Sequence, residues 1–410
     1  MTTSRSQSGS QHKRSGAPSM DRRQPGHGWD VIQSLRHPER TKEICRHPER
    51  SEGPLYLFLV VLAMTALFSA PAVAAAPASG VAVTVDNAAH KVTVTIDGKP
   101  FTNYLWKTNQ RKPILYPVIA PDGTTLTRGN PPLPGERTDH PHHAGIWFNY
   151  SNVNGIDFWN NSDAIKPENR ARYGSIDFDR IVSSKSGKDS GELVTESTWY
   201  PSSDVPTVGS NPKPPFLHQT TRYVFSKATV AGQPVWSIDM TVTLKALQTS
   251  VFNDDKDGML GIRVAHFMES ATAKPEVLRD ANGIATPVAA PTAGATGVYR
   301  TSEGKVGDAA WGTRAKWCEL TGTTQGKAET IAILDHTGNP NYPTYWHARD
   351  YGLFAVNPLG AKGFDPKGPA LNYTLDQGKS VTFRYRILVA SSTLSDEDLN
   401  HAADAWDRVE

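Results

Sequence analysis

Three histidines, His140, His142 and His143, lie within four positions of the sequence and follow Glu136 and Arg137. An imidazole can exchange a proton near neutral pH or bind a metal ion. In an extended chain His140 and His142 project to one face and His143 to the other. This pattern predicts a cleft in which two of the histidines act as general acid and base, or as metal ligands, with Glu136 as a carboxylate partner.

Two tryptophans follow the histidines and extend this predicted site. Trp147 and Trp159 offer flat apolar faces on which a sugar ring can stack. Asp157 is a further carboxylate partner, and Arg137 carries several donors for sugar hydroxyls or carboxylates. We therefore interpret this stretch as a carbohydrate-binding cleft.

A second set of polar groups, Arg263, His266 and Glu269, lies in or near an apolar strand. Burying such groups requires partners or a cleft. We take His266 and Glu269 as candidate catalytic groups, and the alternative is a hydrogen-bonded structural pair.

A third group lies on a loop that follows the predicted strand 330–334. His336, His347 and Arg349 are candidate substrate-binding residues because loops on a rigid scaffold often carry sites. The alternative is a proline-rich turn held by Asn and Asp side chains. No cofactor is certain, but a divalent metal is conceivable, with His142 or His143 joined by His266 or His336.

The composition favours a β-rich protein without nucleic-acid partners. There are 43 Lys and Arg against 41 Asp and Glu, and this net charge of +2 gives no broad field for nucleic acid. With 33 Gly, 30 Pro and many apolar-polar alternations, the chain suits short strands joined by turns. Strands without intervening helices predict an all-β fold, a large antiparallel β-sandwich.

The sequence divides into four segments. Residues 1–54 are too polar to fold, and we favour an over-extended translation start over a basic tail. Residues 55–76 predict a signal peptide and export to the periplasm or beyond, because their apolar run is shorter than a spanning helix and ends in small residues. The mature chain is then not an integral membrane protein. Residues 81–392 predict the β-sandwich, and 393–410 a C-terminal helix.

Four motifs, within 140–147, 154–159, 312–318 and 335–360, resemble those of the secreted bacterial family called methane oxygenase PmoA-like. The resemblance runs from about Val81 to Ala390. It implies a secreted β-sandwich protein of carbohydrate-degrading bacteria, with a fold similar to the galactose-mutarotase-like supersandwich. It does not imply methane oxidation, because the membrane subunit of that name crosses the membrane several times and this chain has one export-like apolar run.

The residues together predict a secreted carbohydrate-active enzyme that uses histidine and carboxylate acid-base chemistry, as a hydrolase or a lyase. Two alternatives stay open: a non-catalytic glycan-binding protein, and a metal-dependent oxidative enzyme acting on polysaccharide.

Overall fold

Alternation of apolar and polar residues produces the longest strands. In Leu217–Val230, every second side chain from Leu217 to Phe225 is buried, as expected for a strand with one face on the core. The computed structural model describes residues 79–201, 214–230, 232–271, 276–279, 285–288 and 293–408, all within the unit Val73–Glu410. The predicted N-terminal segment 1–54 and signal peptide 55–76 lie outside the described residues.

The first ten strands in chain order are β1 (Val81–Asp86), β2 (Lys91–Ile96), β3 (Lys99–Leu105), β4 (Ile114–Val118), β5 (Ile146–Tyr150), β6 (Ser175–Lys185), β7 (Ser190–Tyr200), β8 (Leu217–Val230), β9 (Gln233–Ala246) and β10 (Ser250–Phe252). They continue with β11 (Gly258–Arg263), β12 (Glu276–Arg279), β13 (Ala285–Val288), β14 (Val298–Thr301), β15 (Trp317–Thr324), β16 (Lys327–Asp335), β17 (Tyr345–Ala348), β18 (Leu353–Asn357), β19 (Tyr373–Leu375) and β20 (Ser380–Ala390). The helices are α1 (Ala361–Phe364), α2 (Asp396–Trp406) and the 3-10 turns Pro167–Arg172, His266–Met268 and Gly307–Ala310.

Most of the described strands belong to two eight-stranded sheets. The first has the order β1-β2-β3-β4-β5-β11-β18-β17, and the second has the order β14-β15-β16-β20-β9-β8-β7-β6. Neighbouring strands are antiparallel throughout, as in the pair β8 and β9 or the pair β11 and β18. Two short pairs, β10 with β19 and β12 with β13, lie outside these sheets.

The main core lies between the two sheets. Phe101 of the first sheet packs edge-on against Phe225 and Trp236 of the second, and Phe148 packs against Phe383. These rings belong to one large buried cluster that draws on both sheets. The predicted all-β fold, an antiparallel β-sandwich with a short C-terminal helix, is confirmed. No helix in the described ranges is long and apolar enough to cross a membrane.

Helix α2 covers the outer face of the second sheet. Its buried residues Leu399, Ala403 and Trp406 pack against a separate cluster that includes Trp317 and Leu334. The helix begins at a capping box, in which the Ser395 side chain accepts a hydrogen bond from the Asp398 amide and the Asp398 side chain accepts one from the Ser395 amide. Capping satisfies backbone groups that the first turn leaves unpaired.

Ser395→Ala should lower the free energy of unfolding by about 1 kcal/mol, because the Asp398 amide loses its acceptor. Urea unfolding followed by tryptophan fluorescence measures the change. Thr393→Ala, at an exposed position just before the cap, is the control and should have little effect. Equal stability of the Ser395 variant and the control would show that the cap does not hold α2.

Candidate functional site

The outer face of the first sheet supports the site. Strands β5, β11 and β18 lie side by side, and Gly261 on β11 stands opposite Trp147 on β5. A Cβ atom at Gly261 would lie 2.5 Å from Cζ2 of Trp147, so only glycine fits there. Trp147, Tyr351 and Ala355 belong to a small buried cluster separate from the main core. Because side chains two residues apart share a face of a strand, Arg263 projects to the same side as this cluster.

The buried side chain of Arg128 binds the backbone of the histidine loop, residues 137–143. Nη1 of Arg128 donates to the carbonyl oxygens of Arg137 (3.1 Å) and Asp139 (2.7 Å), and Nη2 donates to those of His140 (3.1 Å) and His143 (2.8 Å). His140 has a φ of 46°, in the left-handed region that is costly for a residue with a side chain. The carbonyl hydrogen bonds therefore fix a backbone conformation that the loop would otherwise avoid.

The first histidine-carboxylate dyad consists of Asp139 and His140. Oδ2 of Asp139 lies 2.5 Å from Nδ1 of His140, and both oxygens accept hydrogen bonds from Arg263, at 3.0 and 3.2 Å. Burial favours the neutral acid, but the His140 hydrogen bond and the Arg263 charge outweigh it and hold the pKa of Asp139 well below its usual range. The carboxylate therefore accepts, and Nδ1 of His140 carries the proton.

The second dyad consists of Glu269 and His266. Oε2 of Glu269 lies 3.1 Å from Nδ1 of His266 and 3.2 Å from Nε of Arg137, while Oε1 lies 4.0 Å from Nη2 of Arg263. Burial raises the pKa of Glu269 despite both arginines. A Cβ atom at position 352 would lie 3.1 Å from Cγ of Glu269, so the positive-φ glycine Gly352 lets the turn after β17 pass close by. Arg263 thus lies between the two carboxylates.

Four rings form a stack through the site. Tyr351 lies parallel to His140 at 4.9 Å, His140 to His143 at 4.8 Å, and His143 to Trp147 at 5.0 Å between centroids. His142 meets His143 edge-on at 4.2 Å. Packing of this kind restricts the orientation of each ring. His140 is therefore fixed by its backbone, by Asp139 and by a ring on either side.

His142 and His143 are buried without hydrogen-bond partners for any of their ring nitrogens among the described residues. Burial, followed by the charges of neighbouring histidines, lysine and arginines, lowers the pKa of both well below the usual value. Both imidazoles are therefore neutral at pH 7. They contribute to the site by packing rather than by reaching solvent.

A cavity of about 410 Å³ borders the turn between β17 and β18, which carries Tyr351 of the ring stack, and no residue of either dyad lines it. Its lining comprises Asp308, Trp311, Ala348, Arg349 and Asp350. The guanidinium of Arg349 lies 5.2 Å from the centre of the Tyr351 ring, and Tyr351 in turn stacks on His140. This guanidinium makes no hydrogen bond or ion pair with a described residue, so its donors are available to a ligand.

Of the predicted residues, the structure brings His140, His142, His143, Arg137, Glu269, His266 and Arg349 into one connected region. Glu136 and Asp157 serve local structure instead. Oε2 of Glu136 accepts two backbone amides of the preceding turn, at 2.7 and 2.8 Å. Asp157 accepts the amides of the two residues that follow Phe158, and burial raises its pKa to about 6.

His336 and His347 have other surroundings. The His336 ring packs edge-on against Trp406 of α2 at 5.5 Å, and its Nδ1 accepts the amide of Gly338. His347 is buried on β17, 3.6 Å from Asp257, and burial lowers its pKa to about 4. Residues close together in sequence thus reach different parts of the fold.

The predicted stacking of a sugar on Trp147 or Trp159 requires a correction. Both side chains are 1% exposed. His143 covers a face of Trp147, and Trp159 packs edge-on against Trp147 at 5.2 Å. No ring face remains for a ligand, and both tryptophans instead pack against His143 of the histidine loop.

Several functional residues were absent from the predicted site. The sequence marks Arg263 as a polar group in an apolar strand that needs partners when buried, but does not show that these partners are Asp139 and Glu269 of the site. Asp139 adjoins His140 in sequence and could have been included with it. For Arg128 and Tyr351, neither spacing nor composition gives a signal. In the described ranges, no group of three or more His, Cys, Asp and Glu residues is arranged to hold a metal ion.

Comparison with known proteins gives a family and two distant structural neighbours. The model of DUF6807, a family of unknown function, matches residues 91–404. Among curated proteins, none matches. A protein from Escherichia coli K12, provisionally assigned as an aldose 1-epimerase, is 13% identical with a TM-score of 0.33, over 76% of this chain and 99% of its own. The Slr1438 protein from Synechocystis sp. PCC 6803 is 10% identical with a TM-score of 0.27, over 77% and 98%.

Arg128→Lys should lower the free energy of unfolding by about 3 kcal/mol, because one ammonium cannot reach the buried carbonyls that the guanidinium fork joins. Urea denaturation measures this. Arg180→Lys, at an exposed position on β6, is the matched control and should be nearly neutral. Equal stability of the two variants would contradict the role of Arg128 in the loop.

Acidification should destabilise the fold below about pH 6.5. The pKa values of His142 and His143 are lowered in the folded protein, so these histidines bind protons in the unfolded chain at a pH where they stay neutral in the folded one. Between pH 7.5 and 5.5 each histidine should remove about 1.4 kcal/mol of unfolding free energy. His143→Gln should reduce this pH-dependent loss by that amount, whereas exposed His401→Gln should leave it unchanged. An identical pH dependence in wild type and His143→Gln would contradict the buried neutral state.

Proposed function

The chain belongs to DUF6807, a family of unknown function, and from its own geometry we propose that it is an enzyme that transfers protons to and from a sugar. The observation that carries the proposal is the pair of histidine-carboxylate dyads joined by buried Arg263. A purely structural role needs no imidazole with an exposed edge. Both dyads have one, since the side chains of His140 and His266 are 16% and 29% exposed.

His140 acts as the base. Burial lowers its pKa, against the opposing effect of Asp139, so the ring is neutral at pH 7. Its Nδ1 proton points to Asp139, which leaves the lone pair on Nε2 for a substrate proton. Once the ring accepts that proton, the ionised Asp139 stabilises the resulting imidazolium.

Glu269 and His266 act as the acid. The raised pKa of Glu269 lets this carboxyl group hold a proton at a higher pH than Asp139 can. Environments that shift two carboxyl groups in opposite directions are typical of acid-base pairs. His266, in contact with Glu269, delivers the proton to the substrate, while Arg137 and Arg263 keep the carboxylate in place.

The lining of the 410 Å³ cavity supports a sugar as the substrate class. Trp311 is 36% exposed and offers an aromatic face to the C–H groups of a pyranose ring. Arg349 supplies donors and the carboxylates Asp308 and Asp350 supply acceptors for hydroxyl groups. An apolar face combined with both kinds of polar partner matches a neutral or weakly charged sugar.

Two-carboxylate hydrolysis fits the site less well than proton transfer. A hydrolase of that type needs one carboxyl group as acid and a second as base or nucleophile beside the bond. Asp139 and Glu269 are both 2% exposed at the side chain and both face arginines. The imidazoles are the more exposed members of the two dyads, which favours elimination or epimerisation over hydrolysis.

Export of the enzyme is part of the proposal, because it rests on residues 55–76 of the sequence alone. Membership of the secreted PmoA-like group is likewise a proposal, supported by the four motifs.

His140→Gln and His266→Gln should each reduce turnover about 10²- to 10⁴-fold while retaining sugar affinity, because each removes a proton carrier and keeps a polar side chain. Purified wild type is first screened against mono- and oligosaccharides in D₂O, with products followed by mass. Elimination or epimerisation adds no water, and removal of a C–H proton introduces deuterium into recovered sugar.

The exposed His401→Gln is the control for both variants and should keep full activity. Products heavier than the substrate by one water molecule would show that the enzyme hydrolyses its substrate and would contradict the proposed proton transfer. Sugar binding without any turnover by the wild type would make the protein a non-catalytic binder and overturn the enzyme proposal.

A further inference from the structure

A second and larger cleft, of about 710 Å³, lies between the segment joining β3 to β4 and the start of β6. Trp106, Lys107, Arg111 and Lys112 line it from the first of these segments, and Phe178 lines it from β6. Its lining shares no residue with the 410 Å³ cavity or with either dyad. It is therefore a separate cavity, and the proposed chemistry makes no use of it.

One wall of the cleft is aromatic. The rings of Trp106 and Phe178 stack at 4.5 Å between centroids with an interplanar angle of 22°, and Phe178 is half-buried. His90 packs edge-on against Trp106 at 6.0 Å. A stacked aromatic wall with a partly exposed ring suits the C–H face of a sugar better than a small inorganic ion.

One cation of the cleft is available to an anion. Arg111 already forms an ion pair with Asp163, in which Nε lies 2.6 Å from Oδ1. Lys107 is exposed, and its ammonium makes no hydrogen bond or ion pair with a described residue. The remaining acid, Asp177, lies near Arg111: burial raises the pKa of Asp177, whereas a hydrogen bond from Ser175 and the charge of Arg111 act in the opposite direction. Lys107 is therefore the cation of the cleft that has no acidic partner among the described residues.

The floor of the cleft is bonded to the histidine loop. Nζ of Lys112 donates to the carbonyl oxygen of His142 at 2.9 Å and to that of Trp159 at 3.4 Å. Gln110, which precedes the lining residue Arg111 but does not line the cleft, donates from Nε2 to the carbonyl oxygen of Pro141 at 3.4 Å. Lys112 is buried, and desolvation lowers its pKa to about 7. A carboxylate in the cleft would favour the protonated form that makes these bonds.

We propose that the cleft between Trp106, Phe178 and Lys107 is a second saccharide-binding site that takes a carboxylate-bearing sugar, a uronate, with its ring against Phe178 and its carboxylate toward Lys107. This assignment does not depend on the proton-transfer chemistry of the dyads. The side chain of Lys112 connects the site with the histidine loop, because it lines the cleft and donates to the backbone carbonyl of His142.

The test is calorimetric titration of the full protein with D-galacturonate, D-galactose and inorganic phosphate. Galacturonate should bind about tenfold more tightly than galactose, since a charge-assisted contact to Lys107 is added. Lys107→Glu should remove that preference, and higher salt should weaken it in the wild type because Lys107 is exposed. Lys362→Glu, at an exposed lysine outside the cleft, is the matched control and should bind like the wild type.

Arg349→Ala, in the lining of the 410 Å³ cavity, separates this inference from the proposed function and should leave galacturonate affinity unchanged. Loss of binding in Arg349→Ala with full binding in Lys107→Glu would place the sugar in that cavity and overturn the second site. Equal affinity for galactose and galacturonate would remove the carboxylate preference. Phosphate binding as tight as galacturonate binding would show a general anion site and also overturn the assignment.

Discussion

A fully buried arginine imposes the main constraint on this protein. Arg263 is 0% exposed and projects from an otherwise apolar strand, where an unpaired guanidinium would cost several kcal/mol. Asp139 pairs with it through both carboxylate oxygens, and Glu269 lies 4.0 Å away. Because the cation needs both partners, the histidine loop and the segment after β11 must converge on it. Each carboxylate then brings its own histidine, so one buried charge assembles both dyads.

The rest of the scaffold restricts movement around this pair of dyads. The inner face of the first sheet packs into the sandwich core, which leaves its outer face free to hold the ring stack. Arg128 fixes the loop carbonyls, and Tyr351 and His143 enclose His140 between parallel rings. Burial acts on every group, yet its outcome differs with the partners: it leaves Glu269 with a raised pKa, whereas two strong partners keep that of Asp139 low. This difference gives the two dyads different tasks.

Local pattern in the sequence predicts the fold better than it predicts the site. Regular alternation of apolar and polar residues predicts strands β8 and β20 from the sequence. In β6, charged and hydroxyl residues obscure this alternation, because the outer positions of the strand face solvent. His140 and Glu269 were recognisable as residue types, but Asp139 and Arg263 are 124 positions apart and meet only through sheet pairing. Conversely, His336 and Arg349 looked like one group, and strand β17 between them takes each to a different place. Contacts that tertiary packing creates between distant residues cannot be predicted from the spacing of residues in the sequence.

The central claim is that Asp139 holds His140 by its Nδ1 proton and leaves Nε2 of His140 for a substrate proton, whereas Nε2 of His266 carries the proton that the acid delivers and lies 3.4 Å from the carbonyl oxygen of Ala293. Long-range ¹H–¹⁵N NMR of the ring nitrogens reads this directly, with assignment by single His→Gln variants. The account predicts that neutral His140 is in the Nδ1–H form and neutral His266 in the Nε2–H form, and that Asp139→Asn alters the signals of His140 but not those of His266. A neutral His140 in the Nε2–H form, with signals that do not respond to Asp139→Asn, would contradict it.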